Sequence, residues 1–155
     1  MAIDRKLINR AFLSKHDLDE CNKFLYKFSK IEDDIIKEAL LIAALIAYGR
    51  PFSENKENDK IIKKIPLELV TRPFEPSEKR LHAKLMTIRN KAIAHSDIVK
   101  KPTSSSVDGQ GLVQQSKPYN ILAEDIDINK MLNLSKKMIL ICEDIICGEQ
   151  RKLKL

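Results

Sequence analysis

The stretch from Leu81 to Asp97 constrains the fold most, because it sets an arginine inside an apolar helical stripe. Apolar residues recur in this stretch at steps of three and four, which predicts an α-helix: Leu81, Leu85, Ile88, Ala92 and Val99. Arg89 falls near the middle of the predicted apolar face, with His82 and Ser96 beside it. A guanidinium keeps its charge, so burying it costs several kcal/mol unless it is paired or meets a ligand or a partner chain.

The relation between Arg89 and His95 leaves two interpretations open. His95 lies six residues after Arg89, about 120° further round an ideal helix, so a straight helix does not stack the two side chains. They converge if the helix ends near His95, or if two copies of the chain face each other. In the structural alternative, Arg89 pairs with a buried carboxylate and His95 caps the helix. The candidate carboxylates are Asp33, Asp34 and Glu38.

The composition favours helices over sheets. The chain has 155 residues, of which 43% are hydrophobic, mostly Leu, Ile and Ala, with 4 Gly and 0 Trp. We predict one all-α domain over residues 1–150, a bundle of four to five helices, followed by a basic tail at 151–155. The longest apolar run, Ala39–Tyr48, is far short of the ~20 residues that a membrane span requires, and it predicts a buried core helix instead.

The first half of the chain predicts two helices. A short amphipathic helix covers Ala2–Leu13, with Phe12 among its inward residues, and Ser14–Asp17 breaks it. A long helix then runs from Leu18 to Tyr48, with a joint near Ser29.

The middle of the chain predicts a loop between helices. Gly49 ends the long helix, and Pro51 makes the stop firm. Residues 52–66 are polar and predict an exposed loop, and Leu67–Val70 predicts one helical turn. Pro76 or Ser77 then opens the helix that carries Arg89.

Residues 98–120 predict either a short β-hairpin or a loop inserted into the bundle. The segment is rich in Pro, Ser, Gly and Gln, which is typical of turns. Its apolar pairs, Ile98–Val99 and Leu112–Val113, are suited to pairing as a hairpin, and the pattern does not distinguish this from a mobile loop.

The last predicted helix is capped by Asp125 or Asp127 and runs to Gly148. Cys142 lies on its apolar stripe, where a small buried thiol is expected. The 3 cysteines include no C-x-x-C pair, which argues against a disulfide framework and a zinc site. The Glu-x-x-His pairs of a di-iron bundle are missing from the sequence. We therefore expect no metal and no cofactor, and a reducing, cytoplasmic location.

The string Arg89-Asn90-Lys91-Ala92-Ile93-Ala94-His95 resembles the motif of the HEPN superfamily, an arginine and a polar residue followed by a histidine. The corner Tyr48-Gly49-Arg50-Pro51-Phe52 and the pair Leu81-His82 resemble features of one prokaryotic branch of that superfamily. The place of the motif, late in a bundle and after two long helices, also resembles the HEPN fold. The resemblance spans the chain from the second predicted helix to the last.

HEPN proteins are typically helical dimers, and many are metal-independent ribonucleases. The resemblance therefore implies a homodimer in which two Arg–His sets line one cleft that binds RNA. RNA carries its own nucleophile, the 2′-hydroxyl, so such an enzyme requires a proton shuttle and a cation. The resemblance assigns general acid and base catalysis to His95, a clamp on the phosphorane oxygens to Arg89, and an orienting role to Asn90.

Four further residues near the motif are candidates for substrate binding. Lys84 and Lys91 flank the motif and are suited to meet RNA phosphates, although for each lysine taken singly the pattern favours a solvated side chain. His82 is either a substrate contact or a histidine hydrogen-bonded in place, and Ser96 lies beside Arg89 on the predicted face. The net charge of +6 permits an anionic partner without requiring one.

Two functions follow from the resemblance. The first is an endoribonuclease of the toxin or phage-defence kind, whose partner would be a nucleotidyltransferase-type antitoxin. The second is a non-catalytic helical dimer that binds RNA or a protein partner through the same cleft. The presence of Arg89, Asn90 and His95 together favours the first.

Overall fold

The computed structural model describes residues 4–57, 60–62, 64–93, 103–108, 111–116 and 119–152, and it is the all-α bundle that the sequence predicts. The helices are α1 (Arg5–Phe28), α2 (Asp34–Gly49), α3 (Leu67–Thr71), α4 (Pro76–Ile93) and α5 (Ile128–Arg151). The strands are β1 (Asn55–Glu57), β2 (Lys60–Ile62), β3 (Thr103–Asp108) and β4 (Gly111–Ser116). None of the helices in the described part of the chain combines the length and apolar character that a membrane span requires.

Helix α1 is continuous, so the predicted break at Ser14–Asp17 is wrong. The Ser14 side chain is buried within the helix, and the Asp17 carboxylate accepts a hydrogen bond of 3.3 Å from Arg50. Ala11 and Leu18, on either side of the predicted break, both pack in the core. Tertiary packing of this kind decides whether a segment is helical more strongly than the weak local preference of a serine or an aspartate.

The continuity of α1 also turns Phe12 outward, contrary to its predicted inward position. The helix buries Ala11, Ser14 and Leu18, which follow one another at steps of three and four. Phe12 lies next to that face and is 66% exposed.

The join between the first two helices confirms the joint predicted near Ser29. Ser29 is the C-cap of α1, and the Asp33 carboxylate caps α2 by accepting two backbone N–H groups at 2.9 and 3.0 Å. At the other end, α2 ends at Gly49 as predicted, and Gly49 itself has a helical φ of −83°. The chain passes directly into a 3₁₀ turn at Arg50–Phe52.

The segment after this turn is more ordered than the predicted exposed loop. Strands β1 and β2 form an antiparallel hairpin. Ile65 is buried, and its backbone N–H donates to the carbonyl of Pro51 at 2.9 Å. The single helical turn predicted at Leu67–Val70 is confirmed as α3, and the predicted start of α4 at Pro76 is also confirmed.

The segment near 98–120 contains a hairpin, which confirms one of the two predicted alternatives. Leu112 and Val113 pair with Val107 and Ser106, whereas the predicted partners, Ile98–Val99, lie outside the described residues. Helix α5 then begins behind the cap Asp127, whose carboxylate accepts the N–H of Lys130 at 3.0 Å. It continues past the predicted end at Gly148 to Arg151.

The core lies between α1, α2, α4 and α5. Cys21 and Cys142 are buried in it as free thiols, as predicted for Cys142, and Cys147 is exposed. The largest fully buried side chains include Tyr48, Leu18, Leu25, Leu45, Leu85, Ile88, Met131, Leu134 and Met138. Packing of α4 against α2 within this core determines where the Arg89 side chain lies.

Two leucines of α1 provide a test of which face of this helix is buried. Leu18→Ala removes a side chain that is 0% exposed and should lower the free energy of unfolding by about 2–5 kcal/mol. Leu13→Ala is the matched control, because Leu13 is 49% exposed and should change that free energy by less than about 1 kcal/mol. Urea unfolding measures both changes, and equal losses in the two variants would contradict this burial pattern.

Candidate functional site

Helix α4 presents two separate faces, and the predicted site residues divide between them. Leu85, Ile88 and Ala92 are buried, which confirms the predicted inward stripe. At about 100° per residue, Arg89 lies about 40° from Leu85, on the side that packs against α2. Lys84 lies about 140° round the helix from Arg89, so the structure does not bring the two side chains together.

Arg89 is a half-buried cation packed against the end of α2. A Cβ atom placed on Gly49 would lie 2.9 Å from its Nε and 3.0 Å from its Cδ. The Nε is fully buried without a hydrogen-bond partner, whereas Nη1 donates to the side-chain oxygen of the exposed Asn90 at 3.2 Å. Burial lowers the pKa of Arg89 from its ordinary value. The structure thus brings two of the predicted catalytic residues together, Arg89 and Asn90.

No carboxylate neutralises Arg89 among the residues that the structure describes. The pairing with Asp33, Asp34 or Glu38 that the sequence offered as an alternative is therefore not found. Asp33 instead caps α2, and it is exposed to solvent. Because a half-buried guanidinium is costly without a counter-ion, this position favours an anionic ligand or a partner that supplies one.

The two lysines lie on the opposite face of α4, where the segment before α5 holds them. Lys84 donates to the backbone carbonyl of Asp125, and Lys91 forms an ion pair of 3.2 Å with Glu124. Glu124 also accepts the hydroxyl hydrogen bond of Tyr119 at 2.9 Å. Contact of these lysines with RNA stays a prediction.

His82 lies within the core, on the same side of α4 as Arg89 and two turns before it. It is 8% exposed, and its Nδ1 lies 2.8 Å from the Tyr48 hydroxyl. The rings of Phe52 and Phe74 lie 4.6 and 6.2 Å from its ring, centroid to centroid. Burial lowers the pKa of His82, which keeps the imidazole neutral at pH 7. This is the position of a histidine hydrogen-bonded in place.

His95 and Ser96 lie outside the described residues, so their predicted roles stay predictions. Within the described part of the chain, no group of three or more His, Cys, Asp or Glu residues is arranged to hold a metal ion. Comparison of the chain with protein-family models, with curated proteins and with solved structures finds no match.

The structure also shows a groove of about 570 Å³ that the sequence did not predict. It runs between the first turns of α4 and α5. These turns are far apart in the sequence, so no local sequence pattern predicts the groove. Two of its carboxylates are neutralised by lysines, Glu78 by Lys137 at 2.7 Å and Asp127 by Lys130 at 3.3 Å. The groove lies on the lysine side of α4, away from Arg89, and its lining includes Arg80, Lys84, Asp125 and Asn133.

The buried imidazole predicts a specific pH dependence of stability. Because burial lowers the pKa of His82, the unfolded chain takes up a proton near pH 6.5 while the folded chain does not. The free energy of unfolding should therefore fall as the pH drops below about 6.5, by up to about 1.4 kcal/mol per pH unit.

The variant His82→Gln removes this titration and should show a weaker pH dependence than the wild type. Urea unfolding of both proteins at pH 7.5, 6.5 and 5.5 measures the difference. The same slope in variant and wild type would contradict a neutral, buried His82.

Proposed function

We propose that the chain is a HEPN-like, metal-independent endoribonuclease of the toxin or phage-defence kind. The observation that carries the proposal is the half-buried Arg89 cation, which lacks a carboxylate partner in the described residues and is hydrogen-bonded to Asn90. A guanidinium held in this way is matched to a phosphate, which supplies the missing negative charge and accepts two parallel hydrogen bonds.

In the proposed reaction, the 2′-hydroxyl of RNA attacks the neighbouring phosphorus. The hydroxyl loses its proton, a bond forms from the 2′-oxygen to phosphorus, and the bond from phosphorus to the 5′-oxygen of the next nucleotide breaks. The leaving oxygen takes up a proton, so the products are a 2′,3′-cyclic phosphate and a 5′-hydroxyl. His95 would move these protons, and Arg89 would stabilise the negative charge that develops on the phosphorane oxygens.

A homodimer is part of the proposal, because the resemblance sets the motif of one copy opposite the motif of the other. Two histidines in one cleft would allow one to act as base while the other acts as acid. The second candidate function is a non-catalytic module that binds a protein partner or RNA through the same cleft. A nucleotidyltransferase-type antitoxin would be such a partner.

Two arginines of α4 provide a matched test of the ribonuclease proposal. Arg89→Ala should reduce the rate of RNA cleavage by about 10²–10³-fold, because it removes a group that stabilises developing charge. Arg80→Ala is the control, since Arg80 is exposed, lies about 180° round the helix from Arg89 and forms no ion pair in the described part of the chain. His95→Ala should lower the rate by about 10²–10⁴-fold. Gel analysis of mixed cellular RNA, incubated with and without EDTA, measures these rates.

Two controls accompany that experiment. Circular dichroism shows whether each variant keeps its helices, and light scattering of the same samples gives the oligomeric state. Cleavage that survives Arg89→Ala and His95→Ala unchanged, or that stops in EDTA, would contradict the proposed mechanism. A wild-type protein that is monomeric at micromolar concentration would contradict the shared cleft. Binding of RNA without cleavage would favour the non-catalytic module.

A further inference from the structure

Gly49 is the last residue of α2, and its backbone conformation does not require glycine. Its φ of −83° and ψ of −17° are ordinary helical values that any L-amino acid adopts. Glycine is a poor residue inside a helix, because it loses more conformational freedom on folding than alanine does. The reason for glycine at this position must therefore lie in what surrounds it.

The surroundings of Gly49 are the middle of the Arg89 side chain. A Cβ atom on Gly49 would lie 2.9 Å from Nε, 3.0 Å from Cδ and 3.4 Å from Cγ of Arg89. These atoms are not the free end of a flexible chain, because the guanidinium lies beyond them and Nε is itself buried. A side chain on residue 49 could be accommodated only if these atoms moved, and the guanidinium would move with them.

The backbone at Gly49 has little freedom to retreat from this contact. The preceding residue, Tyr48, is hydrogen-bonded through its hydroxyl to His82 of α4. The carbonyl of the following residue, Arg50, accepts a hydrogen bond of 2.6 Å from Arg10 of α1. The carbonyl of Gly49 itself accepts the hydroxyl hydrogen bond of Ser53 at 2.9 Å. Three separate contacts thus hold the backbone on both sides of the glycine.

We propose that Gly49 is a positioning residue for Arg89: the space left by its missing side chain is where the Cδ and Nε of the arginine lie, and this sets the direction of the guanidinium. Gly49 touches no substrate in this proposal and acts only through Arg89. The inference about the position of Arg89 stands on geometry alone, and only its consequence for cleavage rests on the proposed function.

Gly148 supplies a matched control within the same protein. It lies inside α5, and a Cβ atom placed on it would meet nothing within 4 Å. Gly148→Ala should therefore gain the helix preference of alanine without any collision. Gly49→Ala gains the same preference and collides with Arg89, so any difference between the two variants reports the collision.

The direct test is the nitrogen NMR signal of the Arg89 side chain, which is identified by its loss in Arg89→Lys. In the wild type its Nε–H is buried, so its proton should exchange slowly with water. Gly49→Ala should shift this signal and speed the exchange by about tenfold or more, whereas Gly148→Ala should change neither. An unchanged signal and exchange rate in Gly49→Ala would overturn the proposal.

A double variant keeps the test decisive if Gly49→Ala does not fold. Gly49→Ala/Arg89→Ala lacks the colliding side chain and should fold with a thermal midpoint at least as high as that of Arg89→Ala. Failure of this double variant to fold would show that residue 49 must be glycine for another reason, and would also overturn the proposal.

Cleavage assays separate this inference from the proposed function. If Arg89 acts in cleavage, Gly49→Ala should lower the rate on the order of 10²-fold, as a displacement of about 1 Å can do, and should cause no further loss when Arg89 is already alanine. A Gly49→Ala enzyme as fast as the wild type would overturn the positioning role in cleavage. A wild type that cleaves no RNA while the NMR response appears as expected would defeat the ribonuclease proposal and leave the geometry of Gly49 and Arg89 intact.

Discussion

The structure depends most on the corner at residues 48–52, where α2 ends and the chain turns. The residues of the corner contact α4, α1 and the segment before α3. Tyr48 reaches His82 of α4 through a buried hydrogen bond of 2.8 Å, and Gly49 makes room for Arg89 on the same helix. Arg50 forms ion pairs with Asp17 and Glu20 of α1. The carbonyl of Pro51 accepts a hydrogen bond from Ile65, in the segment before α3. The ring of Phe52 packs against the ring of His82. A hydrogen bond made in a buried, apolar setting is costly to break, because each separated group then stays without water. The corner therefore fixes how α4 lies against α2, and with it the position of Arg89.

The corner also places a charged group, the Arg89 guanidinium, at the edge of the core. Arg89 loses hydration where α4 meets α2, and no carboxylate in the described residues compensates it. Its hydrogen bond to Asn90 satisfies one nitrogen and adds no charge. Such an arrangement weakens the folded state unless an anion or a second chain completes it. The lysines on the other face of α4 show the contrast, since Lys91 already has Glu124 as a counter-ion. Arg89 has no such counter-ion among the described residues, and this is why the proposed site centres on it.

The sequence predicted the helices better than it predicted their joins and side-chain partners. The stripe on α4, the cap of α5 and the start of α4 follow from periodicity and capping chemistry, which depend on residues close together in the sequence. The break at Ser14–Asp17 was wrong because burial of Ser14 and the Arg50–Asp17 pair arise from residues distant in sequence. The helix end at Gly49 was predicted correctly, but its close contact with Arg89 was not, because that side chain lies 40 residues later. Of the candidate site, Arg89 and Asn90 are hydrogen-bonded to each other, helical geometry separates Arg89 from Lys84 and Lys91, and the predicted roles of all four stay predictions.

In the proposed function, Arg89 faces an RNA phosphate, and the neighbouring 2′-hydroxyl is the nucleophile. Its most direct test compares an RNA that the protein cleaves with a copy of the same sequence carrying 2′-O-methyl groups, with the chemical ends of the fragments identified by mass spectrometry. We expect the RNA to give fragments that end in a 2′,3′-cyclic phosphate and the 2′-O-methyl copy to stay intact. The difference in cleavage rate should be far larger than the roughly 10²–10³-fold contributed by a single charged group. Cleavage of the methylated copy at a similar rate, or fragments ending in a free 3′-hydroxyl, would mean that another nucleophile attacks the phosphate. Either result would contradict the proposed attack by the 2′-hydroxyl.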